Sequence, residues 1–388
     1  MIRPAIVIIA YNREQALKRL LHSVKEADYP DGDVTLIISV DRSSDHPGDL
    51  VRKAAEDFDW KHGEKKLVFH EENLGLKKHV LSCGDFSKEY EAVIMLEDDL
   101  YVSPAYYSYA MQALEYTRDN DRIGGISLYN HLLNVHAREP FQAIDEPCDN
   151  WYFQFASSWG QAFTKEQWDG FRSWLLEHDN TDLSDTGLPR NVSGWSDRSW
   201  LKYYIKYLID TDRFFLYPMV SYTTNFGDEG THARKTDNDL QVPLSAGRKT
   251  FTFESLEESR SVYDAFFENI KLKEQVAGTL SALTNEQVKP EQVAIDLYGY
   301  RGTNVHADFL LSSKLLPYRC LKTYGRHLRP HDANIFWEIP GESFFLYDLH
   351  TKAKKPRGDQ AERLLYNYRA LKAGHLFRLA LFRLRQKL

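Results

Sequence analysis

Short apolar runs alternate along the chain with segments whose apolar residues recur every three or four positions. Pro4 to Ala10, Val34 to Val40, Leu67 to Phe69 and Ala92 to Leu96 are apolar runs bounded by polar residues. Such runs are typical of strands buried on both faces. After the first run, one helical face carries Leu17, Leu20, Leu21 and Val24. Strands alternating with helices at this spacing indicate βαβ units and a mostly parallel sheet.

Helix starts are predicted from capping residues. Asn12 and Gln15 have the spacing of a capping box, so we expect them to open the first helix. Ser103 and Pro104, which follow the strand ending at Leu96, are predicted as the N-cap and first residue of another helix.

The same patterns continue in the second half of this α/β part. Strands are predicted over Ile123–Leu128 and Arg213–Pro218, and aromatic and small residues alternate over Trp151–Ser158. Thr164 and Gln167 again have capping-box spacing. A further helix is predicted from the apolar face formed by Leu201, Tyr204, Ile205 and Leu208.

The composition shifts beyond Pro243. Residues 251–283 are charged and helical in pattern, and Val293–Tyr300 and Phe344–Leu349 are predicted strands. We therefore predict an α/β domain over residues 1–245, an accessory α/β region over 246–345 and a basic amphipathic helical tail over 346–388.

Charge and cysteine content narrow the function classes. The chain of 388 residues carries a net charge of -7, which gives no electrostatic reason to expect a nucleic-acid partner. Its three cysteines lie far apart without metal-ligand spacing and fit a reducing compartment. No signal peptide is evident, and no apolar run is long enough to span a membrane, so we expect a cytoplasmic protein. The absence of Gly-x-Gly-x-x-Gly and Walker A sequences argues against a dinucleotide dehydrogenase or a P-loop NTPase.

Three adjacent acids follow the strand that ends at Leu96. Glu97, Asp98 and Asp99 are expected at the carboxyl end of a central strand, the edge at which open α/β sheets bind ligands. Adjacent carboxylates repel one another unless a cation or hydrogen-bond donors offset them. Their hard oxygen atoms suit Mg2+ or Mn2+. The alternative is a solvated acidic loop that favours the N-terminus of the next helix.

The strand followed by Glu-Asp-Asp-Leu and then Ser-Pro resembles the acid motif of GT-A fold glycosyltransferases. The pattern is most similar to that of N-acetylglucosaminyltransferase I and bacterial family 2-like polysaccharide glycosyltransferases. The resemblance covers roughly residues 1–245 and implies a Rossmann-like sheet flanked by helices. It implies that Asp99 holds Mn2+ or Mg2+ bridging to the diphosphate, that Asp98 contacts the ribose, and that Glu97 lines the same pocket.

Other strand ends carry weaker signals. Ala10, Tyr11 and Arg13 lie in a segment that resembles the nucleotide-binding entry of the family, and Asp41 occupies the place of an acid against the base or ribose. Lys77 would reach phosphate. Each also has an ordinary explanation: Arg13 in a solvated first helical turn, Asp41 in a turn, and Lys77 on a charged helix face.

Acceptor chemistry is expected at Asp197, in the first turn of the helix bearing Leu201. Trp195-Ser-Asp197-x-x-Trp200 resembles the region of N-acetylglucosaminyltransferase I that supplies the general base, although Ser196 replaces the first acid of that motif. The alternative role is a favourable interaction with the helix dipole. His232 lies in a segment resembling the loop that closes over the donor, where it would contact the diphosphate or the metal, or do neither.

Arginine and leucine alternate between Arg363 and Leu388. A basic amphipathic helix there would lie on the inner face of an anionic membrane, or else pack on the protein body. The resemblance thus implies an inverting, metal-dependent transferase moving a hexose or N-acetylhexosamine from a UDP-sugar to a glycan or lipid-linked acceptor in bacterial surface polysaccharide synthesis. A sugar nucleotidyltransferase and a non-catalytic carbohydrate-binding protein of degenerate transferase fold are the alternatives.

Overall fold

The computed structural model describes residues 2–43, 46–179, 181–183, 187–228, 239–247, 250–303, 305–357, 361–368 and 372–387. The chain divides into two compact units. The first consists of residues 1–136 and 143–270, and the second of residues 137–142 and 271–388. The domain division predicted at residues 245 and 345 stays a prediction.

The strands are β1 (Ala5–Ala10), β2 (Leu36–Val40), β3 (Lys65–Phe69), β4 (Ala92–Glu97), β5 (Leu100–Val102), β6 (Ile123–Ser127), β7 (Leu133–Asn134), β8 (Glu139–Pro140), β9 (Asn150–Phe153), β10 (Gln161–Thr164), β11 (Phe214–Pro218), β12 (Thr223–Asn225), β13 (Val262–Tyr263), β14 (Val293–Asp296), β15 (Phe309–Ser312), β16 (Tyr318–Tyr324) and β17 (Phe344–Lys352). The helices are α1 (Glu14–Lys25), α2 (His46–Asp57), α3 (Gly75–Gly84), α4 (Ser87–Tyr90), α5 (Tyr106–Tyr116), α6 (Lys165–His178), α7 (Arg190–Ser193), α8 (Trp200–Asp210), α9 (Leu272–Thr284), α10 (Ala333–Phe336), α11 (Ala361–Tyr368) and α12 (Ala373–Lys387), with a 3-10 turn at Pro290–Gln292.

The first unit is organised around one mixed sheet. Among the described residues, nine strands form it in the order β13-β9-β11-β6-β10-β4-β1-β2-β3. Strands β3, β2, β1 and β4 are parallel neighbours, whereas β10 runs antiparallel to both β4 and β6. The predicted, mostly parallel α/β sheet is therefore confirmed, and the strand before the three acids is central in it.

Successive residues of the sheet pack against helices on its opposite faces, as the strand period of two requires. On β10, Ala162 belongs to the core cluster that contains Leu17 of α1 and Ala110 of α5. The next residue, Phe163, instead packs its ring against Trp168 of α6 and Tyr204 of α8. Helices on both faces explain why strands β1 and β4 are apolar without alternation.

Two predicted helix starts are wrong. Helix α1 begins at Glu14, after Arg13, so Asn12 and Gln15 form no capping box. Helix α5 begins at Tyr106 rather than at Pro104, because Pro104 and Ala105 form a turn before it. Ser103 still caps locally, since its hydroxyl accepts a hydrogen bond from Ala105 N at 3.2 Å. The capping box of Thr164 and Gln167 is confirmed.

The helix predicted over residues 251–283 is confined to α9. Upstream of it, Phe251 and Phe253 pack against Tyr109 of α5 with ring centroids 5.1 and 5.9 Å apart. These contacts explain why the segment runs along the first unit instead of continuing the helix.

The second unit contains a four-stranded sheet in the order β14-β15-β17-β16. Leu272, Val276 and Leu280 of α9 pack in one cluster with the buried residues of this sheet. Within the predicted tail, the structure describes the helices α11 and α12. In the part of the chain that the structure describes, no helix is long and apolar enough to cross a membrane.

Candidate functional site

The three acids lie where β4 ends at the carboxyl edge of the sheet. Glu97 is the last residue of β4 and stands opposite Ile9 of β1. Asp98 and Asp99 form the turn into β5, and Asp98 N donates to Ile9 O at 3.1 Å. Because this turn is fixed to the neighbouring strand, the carboxylates are held at the edge as the sequence predicted.

Arg13, just beyond the end of β1, bridges two of these acids. Its guanidinium donates from Nη2 to Asp98 Oδ1 and from Nη1 to Asp99 Oδ2, the latter at 2.9 Å. Burial lowers the pKa of Arg13, but the charges of Asp98 and Asp99 more than offset this and raise it above its usual value. The arginine is therefore an internal counter-charge for the acids, in place of the solvated side chain of the alternative explanation.

Burial is the main influence on the pKa values of Glu97 and Asp98. Burial raises the pKa of Glu97 to about 8, and the charges of Asp99 and Asp98 add to the effect. Burial likewise raises the pKa of Asp98 to about 6, although Arg13 acts in the opposite direction. The motif is thus an enclosed cluster rather than a solvated acidic loop.

Asp99 meets the requirements of a cation ligand. Its side chain is 14% exposed, and its Oδ2 is bonded to Arg13. Its Oδ1 is buried and has no hydrogen-bond partner among the described residues. A buried carboxylate oxygen without a donor is costly, and a hard divalent cation is the partner that it suits. The described residues contain no group of three or more His, Cys, Asp or Glu that could hold a metal ion.

Asp41, buried at the end of β2, organises the loop that precedes α3. Its Oδ1 accepts from Arg42 N and Leu74 N at 2.8 and 2.9 Å, and its Oδ2 accepts from Gly75 N at 3.0 Å. The carboxylate therefore supports the N-terminus of α3. The backbone N–H of Asp41 donates to Ala10 O at 3.0 Å. This bond holds together two residues, at the ends of β1 and β2, that were predicted to contact the nucleotide.

The neighbouring positions differ in exposure. Ala10 is buried as the last residue of β1, whereas the next residue, Tyr11, is 36% exposed. Tyr11 therefore presents an aromatic ring at the same edge as the acids, and stacking on a base or sugar ring is chemistry that it can supply.

The structure does not bring Lys77 to the acids. Its ammonium group is bonded to Asp179 and lies 3.8 Å from the centroid of the Tyr203 ring. Phosphate binding by Lys77 would require it to leave both partners, and that role stays a prediction.

Asp197 is not in the first turn of a helix, and that prediction is wrong. Helix α8 begins at Trp200, and Ser199 caps it by accepting a hydrogen bond from Lys202 N. Asp197 lies in the preceding turn with its side chain 75% exposed, and its Oδ1 is 3.0 Å from Lys202 Nζ. Lys202 is buried and also donates to Trp195 O, and no pattern in the sequence pointed to these contacts.

His232 lies outside the described residues. The segment before it is held beside the acids: Phe226 N donates to Asp99 O at 3.2 Å. Arg19 of α1 packs on the Phe226 ring at 3.8 Å and pairs with Asp228. These long-range contacts had no signal in the sequence.

Comparisons with known proteins show which family part of this chain matches. Residues 5–141 match the family model described as Glycosyl transferase family 2. This match contains the acid motif and ends before Asp197. It confirms the resemblance to GT-A fold glycosyltransferases, whereas the more specific resemblance to N-acetylglucosaminyltransferase I stays a prediction. A search of curated proteins gave no match.

Two solved structures illustrate the similarity. The mannosyltransferase PcManGT from Pyrobaculum calidifontis, in complex with GDP-Man and Mn2+, is 18% identical with a TM-score of 0.30 over 49% of this chain and 51% of its own. TarS 1-349 from S. aureus, in complex with UDP-GlcNAc, is 15% identical with a TM-score of 0.37 over 59% of this chain and 60% of its own. In both, this chain spans less than two thirds of the other protein's length.

Proposed function

We propose that this chain, whose residues 5–141 match glycosyl transferase family 2, is an inverting, metal-dependent glycosyltransferase. It would move a hexose or N-acetylhexosamine from a UDP-sugar to a hydroxyl group of a glycan or lipid-linked acceptor. The observation that carries the proposal is the acid cluster at the end of β4, in which the buried Oδ1 of Asp99 has no partner among the described residues.

The donor would lie along the carboxyl edge of the sheet. Tyr11 and Asp41 would contact the nucleoside, Asp98 the ribose, and Asp99 the metal ion at the diphosphate. Arg13 would balance the charge of both acids and of the diphosphate. The bound cation would offset the negative charge that develops on the leaving diphosphate.

Asp197 would act as the general base. Its carboxylate would take the proton from the acceptor hydroxyl as that oxygen attacks the anomeric carbon. The bond from the anomeric carbon to the diphosphate oxygen breaks, and its electron pair remains on that oxygen. A single displacement of this kind inverts the anomeric configuration. Lys202 would hold the carboxylate in place through the 3.0 Å contact.

A panel of nucleotide sugars tests the function. UDP-glucose, UDP-galactose, UDP-GlcNAc and GDP-mannose are each added with and without Mn2+, and thermal unfolding and slow donor hydrolysis are recorded. We expect at least one UDP-sugar to raise the melting temperature only with Mn2+ and to be hydrolysed slowly. Mn2+-dependent binding without hydrolysis or transfer would favour a non-catalytic binding protein, and release of pyrophosphate from UTP and a sugar phosphate would favour a nucleotidyltransferase.

A lipid-linked acceptor would place the protein at the inner membrane surface, and α12 has the features for that contact. Exposed apolar side chains on it are Leu376, Phe377, Leu381, Phe382 and Leu384. No acidic residue lies between Arg363 and Leu388, whereas arginines and lysines recur. Helix α11 is different, because Arg363 pairs with Glu139 at 2.6 Å within the second unit. Membrane binding would therefore reside in α12.

Removing residues 372–388 should abolish sedimentation with phosphatidylglycerol vesicles at low salt, while the intact protein sediments and is released as salt rises. Phe377→Ser should weaken binding several-fold. Leu283→Ser, which alters an exposed leucine of α9, is the matched control and should bind normally. An intact protein that stays in the supernatant at low salt would show that α12 has another role.

A further inference from the structure

Gln161, the first residue of β10, has an unusual environment for an amide. The residue is only 1% exposed, yet its Oε1 has no hydrogen-bond partner within the described ranges. A buried carbonyl oxygen that has lost its water without gaining a donor costs free energy, so its retention calls for an explanation. Gln161 takes no part in the mechanism above.

The register places this side chain beside the acid cluster. Gln161 stands opposite Met95 of β4, so both side chains lie on one face of the sheet. Glu97, two residues beyond Met95, shares that face. Because β10 runs antiparallel to β4, it begins at the edge where β4 ends. The amide and Glu97 therefore lie on the same face of the sheet, near the edge where the acids stand.

The start of β10 is fixed relative to the acids. Gly160 has a φ of +90°, and a Cβ there would lie 2.6 Å from Thr223 Cγ2, so glycine permits a close approach to β12. Thr223 also donates its hydroxyl hydrogen to Trp159 O. Thr223 pairs with Val102 of β5, directly after the acid turn. This frame holds Gln161 in position without using its amide.

The order of strands suggests what the amide binds. The sheet places β2, β1, β4 and β10 side by side in that order, about 5 Å apart. In a nucleotide sugar the base, ribose, diphosphate and sugar follow one another. With the nucleoside at β2 and β1 and the diphosphate at Asp99, the sugar extends toward β10.

We propose that Gln161 determines sugar specificity, by accepting a hydrogen bond at Oε1 from a hydroxyl group of the pyranose that the donor carries. The inference rests on the proposed function and names a residue for its sugar site. A neutral amide suits this place, because it offers an acceptor without adding another acidic group beside Glu97, Asp98 and Asp99. A site that leaves a buried polar group unpaired discriminates strongly against ligands lacking the matching hydroxyl.

The test compares UDP with UDP-sugars. Calorimetry with Mn2+ measures the affinity of UDP and of the UDP-sugar selected from the panel, for the wild-type protein and for Gln161→Met. Methionine has nearly the same length and volume but no amide. We expect UDP affinity to stay within about twofold, the additional affinity for the sugar to fall about tenfold, and donor hydrolysis to fall at least as much. The melting temperature should be unchanged or higher, since an unpaired oxygen is removed.

Two further variants make the result decisive. Gln112→Met on α5, whose amide bonds Ser108, should change neither affinity. Gln161→Asn shortens the side chain by one methylene, which moves the amide away from the sugar, and should lose the additional affinity for the sugar as Gln161→Met does. This second variant keeps the test valid if the methionine variant fails to fold. Equal sugar affinity in wild type, Gln161→Met and Gln161→Asn would overturn the role of Gln161 while the transferase proposal stands. A wild-type protein that binds no UDP or UDP-sugar with Mn2+ would instead overturn the proposed function.

Discussion

Replacing Asp197 with asparagine should lower turnover by roughly a hundredfold or more, the scale expected for loss of a general base. Asparagine keeps an oxygen that can accept the hydrogen bond from Lys202 Nζ, but its amide cannot take up a proton at neutral pH. Donor and Mn2+ should therefore bind with near wild-type affinity. Initial rates of transfer and calorimetry with UDP and Mn2+ measure the two effects separately.

Asp197 lies outside helix α8, so its substitution tests catalysis rather than helix capping. Ser199 already caps α8, so capping does not explain the carboxylate, and its remaining structural role is the contact with Lys202. The ion pair between Lys206 and Asp210 on the same helix is a matched control. Asp210→Asn weakens that pair without approaching the site, and it should leave turnover unchanged.

Product stereochemistry gives an independent reading of the mechanism. A single displacement inverts the anomeric centre, which NMR of the product detects. Near-normal turnover of Asp197→Asn would show that Asp197 is not the general base and serves only as the ion-pair partner of Lys202. A product with retained configuration would reject the single displacement, whatever the variant does.

The parts of the fold predicted correctly are those specified by local sequence. The run from Ala92 to Leu96 is apolar on both faces, so its burial in a central strand follows from composition alone. The acids follow the last apolar residue of this strand, so they lie at the carboxyl edge of the sheet. Thr164 and Gln167 form their capping box because both halves of the motif are near in sequence.

The errors arose where a distant contact decided the outcome. Arg13 is tied to Asp98 and Asp99, more than eighty residues away, and α1 begins only after it. Ser103, the predicted N-cap of α5, is instead hydrogen-bonded to Tyr222 O and Ser245 O, and α5 begins only at Tyr106. Neither contact has a local pattern.

In the candidate site too, local sequence predicted some residues and distant contacts placed the others. Residues at strand ends could be predicted, since the parallel order of β4, β1 and β2 brings their ends together. Gln161 could not, because it reaches the edge by lying on an antiparallel strand whose direction the sequence does not reveal. Lys202 is one of two lysines on α8, and only the structure shows its ammonium group at Asp197.

Replacing Asp99 with alanine should abolish the Mn2+-dependent part of UDP binding. Its Oδ2 is held by Arg13 at 2.9 Å, and its buried Oδ1 has no partner among the residues that the structure describes. One oxygen is therefore available to a cation while the arginine remains in place. Alanine removes both oxygens, and a cation bridging protein and diphosphate would lose its protein ligand. Calorimetry with UDP, with and without Mn2+, measures the loss.

The fold should survive this change, because Asp99 lies in a turn and Arg13 keeps its bond to Asp98. We expect the melting temperature without ligand to fall by no more than about 3 °C. Asp210→Ala, which removes a carboxylate from an ion pair on α8, should bind UDP and Mn2+ like the wild type. If Asp99→Ala retains the Mn2+-dependent affinity of the wild type, the cation is held elsewhere and the assignment of Asp99 is wrong. If it melts much lower, the carboxylate serves chiefly to neutralise Arg13 inside the fold.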